Sequence, residues 1–252
     1  MRKLILILLV VFAFPCSLFA REFINSFMQI NLGYSYALVK AGDIRSGESK
    51  NPPDGGQRLK YSASSVNFML DITPFQPISF NNENSAIKIG LRGGFRMHTM
   101  EQRLTARVDG DKKDYSGRLL EFQCLSIGAL IRYAPSMSMV EDLAESYYSS
   151  NGGFTAFVLY GRMFNGQIDA FAAKRAHKET VSVPYESTLT GHRIDAGLGA
   201  EISICAINLG VNLYYSCVLF QLKNDIYPAI GRSPVQHELN LEVYIGLPLV
   251  NF

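Results

Sequence analysis

Lys88, Arg92 and Arg96 stand four residues apart in the segment Ala86–Met100, whose other phase reads Ile87, Ile89, Leu91, Phe95 and Met97. Gly90, Gly94 and His98 complete the polar phase. Further charges occupy the same kind of position elsewhere. They are Asp71 in Lys60–Ile72, Arg132 in Leu119–Tyr133, Arg193, Asp195 and Glu201 in His192–Ile204, and Glu238 and Glu242 in His237–Leu247. Charges of both signs, each opposed by an apolar phase, imply an enclosed hydrophilic face. There they either pair into a salt-bridge network, because an unpaired buried charge costs several kcal/mol, or line a narrow polar pathway that selects solutes.

Other chemistry is thinly supported. Nucleophilic catalysis needs a Ser or Cys beside a histidine that a third group orients. The histidines are His98, His177, His192 and His237, and the strand reading below puts all of them near an outer rim or in outer loops. A rim site with Ser182 or Ser233 is conceivable, as in a lipid-modifying hydrolase, but no serine motif accompanies them. The expectation is therefore a protein without catalysis. No His or Cys spacing suits a metal, phosphate-cradling glycine motifs are absent, and no cofactor is implied.

The elements that must position these charges read as strands. Phe27–Lys40 separates Met28, Ile30, Leu32, Tyr34, Tyr36 and Leu38 from Gln29, Asn31, Gly33, Ser35 and Ala37. Lys60–Ile72, Ala86–Met100, Leu119–Tyr133, His192–Ile204, Ile207–Leu219 and His237–Leu247 alternate likewise, while Phe154–Phe164 is apolar on both faces. Strands of about 9–11 residues with one oily and one hydrophilic face are those of a transmembrane antiparallel β-barrel. Eight are expected, or ten if the outer hairpins or Ala134–Gly153 hide more. The long polar segments Ala41–Leu59, Glu101–Arg118, Asn165–Gly191 and Gln221–Gln236 suit the external side, with long hairpins, one turning at Asp109-Gly110-Asp111. Thr73–Ser85, Ala134–Gly153 and Cys205-Ala206 fall on the other side. Within Ala134–Gly153, Ser138 and Glu141 have the spacing of a capping box, so a short helix and an irregular turn both fit. With no tryptophan in the chain, Tyr34, Tyr36, Tyr133, Tyr160, Tyr214 and Tyr215 must supply the aromatic girdles at the membrane interfaces.

Met1–Ala20 reads as a cleavable export signal, with Arg2 and Lys3 before the apolar run Leu4–Phe14. Its removal takes two of the 24 basic residues and leaves 22, matching the 22 acidic ones. That balance argues against nucleic acid as a partner. The three remaining cysteines, Cys124, Cys205 and Cys217, do not form an even disulfide framework, and the strand phases send Cys124 and Cys217 to opposite faces.

An export signal, eight alternating strands and the terminal Phe252 together resemble the small outer-membrane β-barrels of diderm bacteria, the OmpA/OmpX type. The resemblance spans Arg21–Phe252 as one domain and is one of architecture. It implies an outer-membrane location, both termini on the periplasmic side, a monomer, contact with outer-membrane lipid, and assembly by the barrel-insertion machinery, which reads a C-terminal aromatic such as Phe252. Val250 keeps step with Phe252, but Leu241, Val243, Ile245 and Leu247 are in the opposite phase. Either a bulge near Gly246-Leu247-Pro248 shifts the register or the last residues lie outside the strand. An eight-stranded barrel is just wide enough for its own side chains to fill it. The expected role is thus structural or surface-interacting, with a largely plugged, charged lumen and outer loops that can meet an extracellular ligand. A narrow porin-like channel for small solutes is the alternative.

Overall fold

The computed structural model describes residues 26–41, 44–45, 58–80, 85–108, 111–135, 138–141, 146–149, 152–169, 186–204, 207–222 and 235–251. Met1–Ala20, the turn residues Asp109-Gly110, Cys205-Ala206 and Phe252 lie outside these residues. Eight long strands form one sheet: β1 Ser26–Ala41, β2 Arg58–Ile72, β3 Ser85–Val108, β4 Asp111–Ala134, β5 Gly152–Asp169, β6 Glu186–Ile204, β7 Ile207–Leu222 and β8 Val235–Asn251. Each pairs antiparallel with its neighbours in chain order, and β8 pairs with β1 from Gln236↔Ala41 to Asn251↔Ser26, which closes the barrel. This is the architecture that the resemblance to small outer-membrane barrels implies. The remaining short strands add no wall. Ile44–Arg45 pairs with the end of β1, and Ile78–Phe80 folds back on the start of β3.

The register sets the dimensions. A row of paired residues that leaves β1 at Ile30 passes through Leu70, Gly93, Ile127, Tyr160, Ile194, Cys217 and His237, then re-enters β1 at Lys40, ten residues further on. With strands about 4.8 Å apart and a rise of about 3.3 Å per residue, that stagger tilts them by about 40° and gives a backbone radius of about 8 Å. The space inside is one layer of side chains deep.

Burial follows the two-residue period. Leu32, Phe68, Leu91, Ile127, Leu198, Leu213 and Val243 are all more than half exposed, Leu198 at 68%. Lys88, Arg132, Arg193 and Asp195 are 0% exposed. On β8 the outward apolar set runs from Leu239 to Leu249. Ten residue steps at this tilt rise about 25 Å, the height of a barrel's apolar band. Phe154–Phe164 also resolves. Thr155, Phe157, Leu159 and Met163 turn inward, and Phe157 and Leu159 join Leu130 and Tyr214 in an apolar patch on the inner wall. That patch is why both faces of β5 are apolar.

Three details depart from, or refine, the reading of the sequence. The helix or irregular turn after Ala134 is instead a small hairpin, Ser138–Glu141 paired with Ser146–Ser149. A helix of so few residues cannot offset the cost of its nucleus, whereas Val140 and Tyr147 are strand formers placed opposite each other. The terminal register shift falls just past Gly246-Leu247-Pro248: Gln29 pairs with Pro248 and Met28 with Val250, so Leu249 is the extra residue of a bulge. Tyr214, read as an interface aromatic, is 1% exposed and lies in the lumen, because it shares the parity of Asn212 and Ser216.

Candidate functional site

The interior is the candidate site. Spacing of four places Lys88, Arg92 and Arg96 in a column on the inner face of β3, about 13 Å between neighbours. Each therefore meets different partners. At the end where Ser26 pairs with Asn251, Arg92 grips Asp71 through Nε at 2.7 Å and Nη2 at 2.8 Å, and Arg132 Nη2 donates to the same carboxylate at 2.9 Å. Lys88 Nζ donates to the Ser26 carbonyl at 3.1 Å. Asp71 and Arg92 are cross-strand neighbours on β2 and β3, so the backbone register itself aligns the fork.

Towards the loop end, Asp195 sits between two guanidiniums, Arg96 Nη1 at 2.7 Å and Arg193 Nε at 2.8 Å. Arg193 reaches on to Glu238 at 2.9 Å and donates to Ser216 Oγ at 2.7 Å. Glu238 also faces His98 Nε2 at 3.1 Å and accepts from Gln236 at 2.5 Å. Neutral donors hold the two remaining carboxylates. Asn67 and Asn212 donate to Glu242 at 2.5 and 2.8 Å, and Tyr244 Oη donates to Glu201 at 2.5 Å, with Gln29 Nε2 at 3.3 Å. Arg96 Nε donates to Asn67 Oδ1 at 2.7 Å, which ties the middle layer to the upper one. All ten charged residues named from the sequence thus lie in one lumen, each 6% exposed or less.

Aromatic rings fill the space between the charged layers. The Arg92 guanidinium lies 4.9 Å from the Phe157 ring centre, and that of Arg96 lies 5.1 Å from Tyr214. Gly210 stands opposite Tyr244, and a Cβ there would collide with the Tyr244 ring; the missing side chain is what lets the ring lie flat on the sheet and reach Glu201. Reasoning from charge alone overlooked Tyr214, Tyr244, Gln29 and Asn67 as members of the network. Their parity, continued along strands already identified, was the available signal.

His98 is not at a rim surface. It is fully buried on the inner face, stacked on Phe122 at 4.5 Å, with Nδ1 2.9 Å from Ser65 Oγ. Ser65, His98 and Glu238 follow the order of a nucleophile relay, yet Ser65 is 2% exposed and the inner wall beyond it carries buried Val39, Met100, Phe122 and Phe220. In this arrangement the trio ties β2, β3 and β8 together. His177, Ser182 and Ser233 lie outside the described residues. Cys124 is buried, Cys217 half-buried, and both are free thiols. Among the described residues no group of three His, Cys, Asp or Glu side chains is disposed to hold a metal.

On the outer wall, Tyr34, Tyr36, Tyr160 and Tyr215 are between 47% and 57% exposed near the loop end of the apolar belt. Tyr133, at 38%, marks the opposite border. A shallow apolar groove of about 570 Å³ crosses this wall where Ala129, Ala156 and Ala196 leave room between Leu198, Leu213 and Leu239.

No protein-family model matches the chain, and no curated protein matches it in sequence. Among solved structures it is similar to the outer-membrane protein OprG of Pseudomonas aeruginosa, at 11% identity over 88% of this chain and 96% of that one, with a TM-score of 0.38. The β domain of the Bordetella autotransporter BrkA gives 9% identity, 88% and 100% coverage, and a TM-score of 0.23. The translocator domain of the autotransporter NalP from Neisseria meningitidis gives 10%, 94% and 93%, with a TM-score of 0.25. At these scores the barrel rests on its own strand pairing.

Proposed function

We propose that the protein is an integral outer-membrane β-barrel with a structural or surface-interaction role, exported by its N-terminal signal, monomeric and non-catalytic, its lumen largely plugged. The observation that carries this reading is the Arg96–Asp195–Arg193–Glu238 chain, which crosses a lumen about 8 Å in backbone radius, with the bidentate Arg92–Asp71 pair filling the inner wall below it. An apolar belt about 25 Å tall outside and paired charges inside are what a lipid-embedded, side-chain-filled barrel requires. Conductance of the refolded protein in planar bilayers tests the plug: no steady open level is expected, and a stable ion-selective level would contradict it.

The alternative, a narrow channel for small solutes, has one observation in its favour. Asn31 Nδ2, Thr155 Oγ1, Tyr214 Oη and Arg193 Nη1 are buried without a protein hydrogen-bond partner at successive levels of the lumen, and water is the usual partner of such atoms. The same recording separates the two readings.

A further inference from the structure

The outward face changes character unevenly at the loop end of the apolar belt. On β5, β6 and β8 the first polar side chains beyond the belt are Arg162, His192 and His237. Arg162 pairs with His192 across β5 and β6, and His237 pairs with Cys217 of β7. In a barrel of this stagger a row of paired residues climbs about 1.25 residues per strand, so the three lie within about two residue steps of one height. On the opposite arc β2 and β3 present Ser64 and Thr99 at that level, neither with a positive charge or a side-chain N–H, while β1 places Lys40 opposite His237 in the register, at the edge of the arc.

Both histidines are built in the same way. Tyr160 Oη lies 2.6 Å from His192 Nδ1, with the rings 5.8 Å apart and inclined by 27°. Tyr215 Oη lies 2.5 Å from His237 Nδ1, with the rings 5.9 Å apart and inclined by 21°. In each case the tyrosine precedes the histidine's cross-strand partner by two residues. Each tyrosine hydroxyl engages Nδ1, so Nε2, on the side remote from the tyrosine, is the ring nitrogen left to meet a ligand, and it carries the ring proton when the hydroxyl is the donor. Arg162 is exposed and has no carboxylate partner among the described residues. Below this arc runs the apolar groove, with Ala156 and Ala196 on the arc's own β5 and β6 and Ala129 on the neighbouring β4.

Resting on the membrane reading above, we infer that this arc binds the phosphate of a membrane-lipid headgroup. The Arg162 guanidinium takes two phosphate oxygens as a fork, and His192 Nε2–H donates to a third; His237 extends the arc. The lipid's chains run down over the groove, which the small residues leave open. A free guanidinium on the lipid side is least costly at the interface, where the anions available are lipid phosphates.

The test is native mass spectrometry of the detergent-folded barrel with dipalmitoyl phosphatidic acid, the matching diacylglycerol, or inorganic phosphate. Phosphatidic acid is expected to remain bound at least fivefold more than diacylglycerol. Arg162→Gln should lower that retention about fivefold, the weight of one basic side chain at a charged interface, whereas Thr99→Ala on the opposite arc should leave it unchanged. Equal retention of phosphatidic acid and diacylglycerol, no effect of Arg162→Gln, or equal binding of inorganic phosphate would each overturn the assignment. A mature chain that stayed soluble and monomeric without detergent would instead remove the membrane reading beneath it.

Discussion

Asp195 is the residue on which the upper lumen depends, since two guanidiniums lie within 2.8 Å of its oxygens. Asp195→Ala would leave Arg96 and Arg193 facing each other in a dry interior. The expected cost is about 3–5 kcal/mol, read as a lowered urea midpoint for the protein in lipid vesicles. A loss under about 1 kcal/mol would mean that water reaches these charges and screens them. Gly210→Val tests the aromatic filling: the Tyr244 ring must lift, the Glu201 bond is lost, and overpacking should cost about 1–3 kcal/mol by the same measurement. Which residues face the lumen was legible from parity, because a side chain's face is fixed by counting. Who pairs with whom was not. Asp71 with Arg92 follows from adjacent strands, but Arg96 with Asp195 crosses the barrel and depends on the stagger of all eight strands.

At the scale of elements, the strands carry two patterns of unequal clarity. Where an apolar outer face opposes a charged inner one, as in β3 and β6, alternation marks the strand in the sequence itself. β5 was obscure because its inner residues Phe157 and Leu159 pack against Leu130 and Tyr214 rather than against charge. The small hairpin after Ala134 was missed because a capping-box spacing says nothing about length. Outward positions grade by height. Leu198→Arg, near the middle of the belt, is expected to destabilise by about 2–4 kcal/mol, and His192→Arg at its border by about 0–1 kcal/mol, measured as reversible unfolding from bilayers. Equal costs at the two positions would remove the membrane from the explanation of the belt.

For the molecule as a whole, closure is the decisive property. Pairing of β8 with β1 leaves no open edge, and the ten-residue stagger sets a radius that the barrel's own side chains occupy. Closure could be expected from an even strand count and an apolar belt, but the stagger could not, because it is the sum of eight separate registers. The most direct test of an oily exterior around a filled hydrophilic interior is a spin-label scan of β7, with the native cysteines replaced, in lipid vesicles. Labels at Leu209, Val211, Leu213 and Tyr215 are expected to be accessible to membrane-dissolved oxygen, and labels at Asn208, Asn212 and Ser216 to neither oxygen nor a water-soluble nickel chelate. Nickel access at the second set, or the absence of a two-residue period, would contradict it.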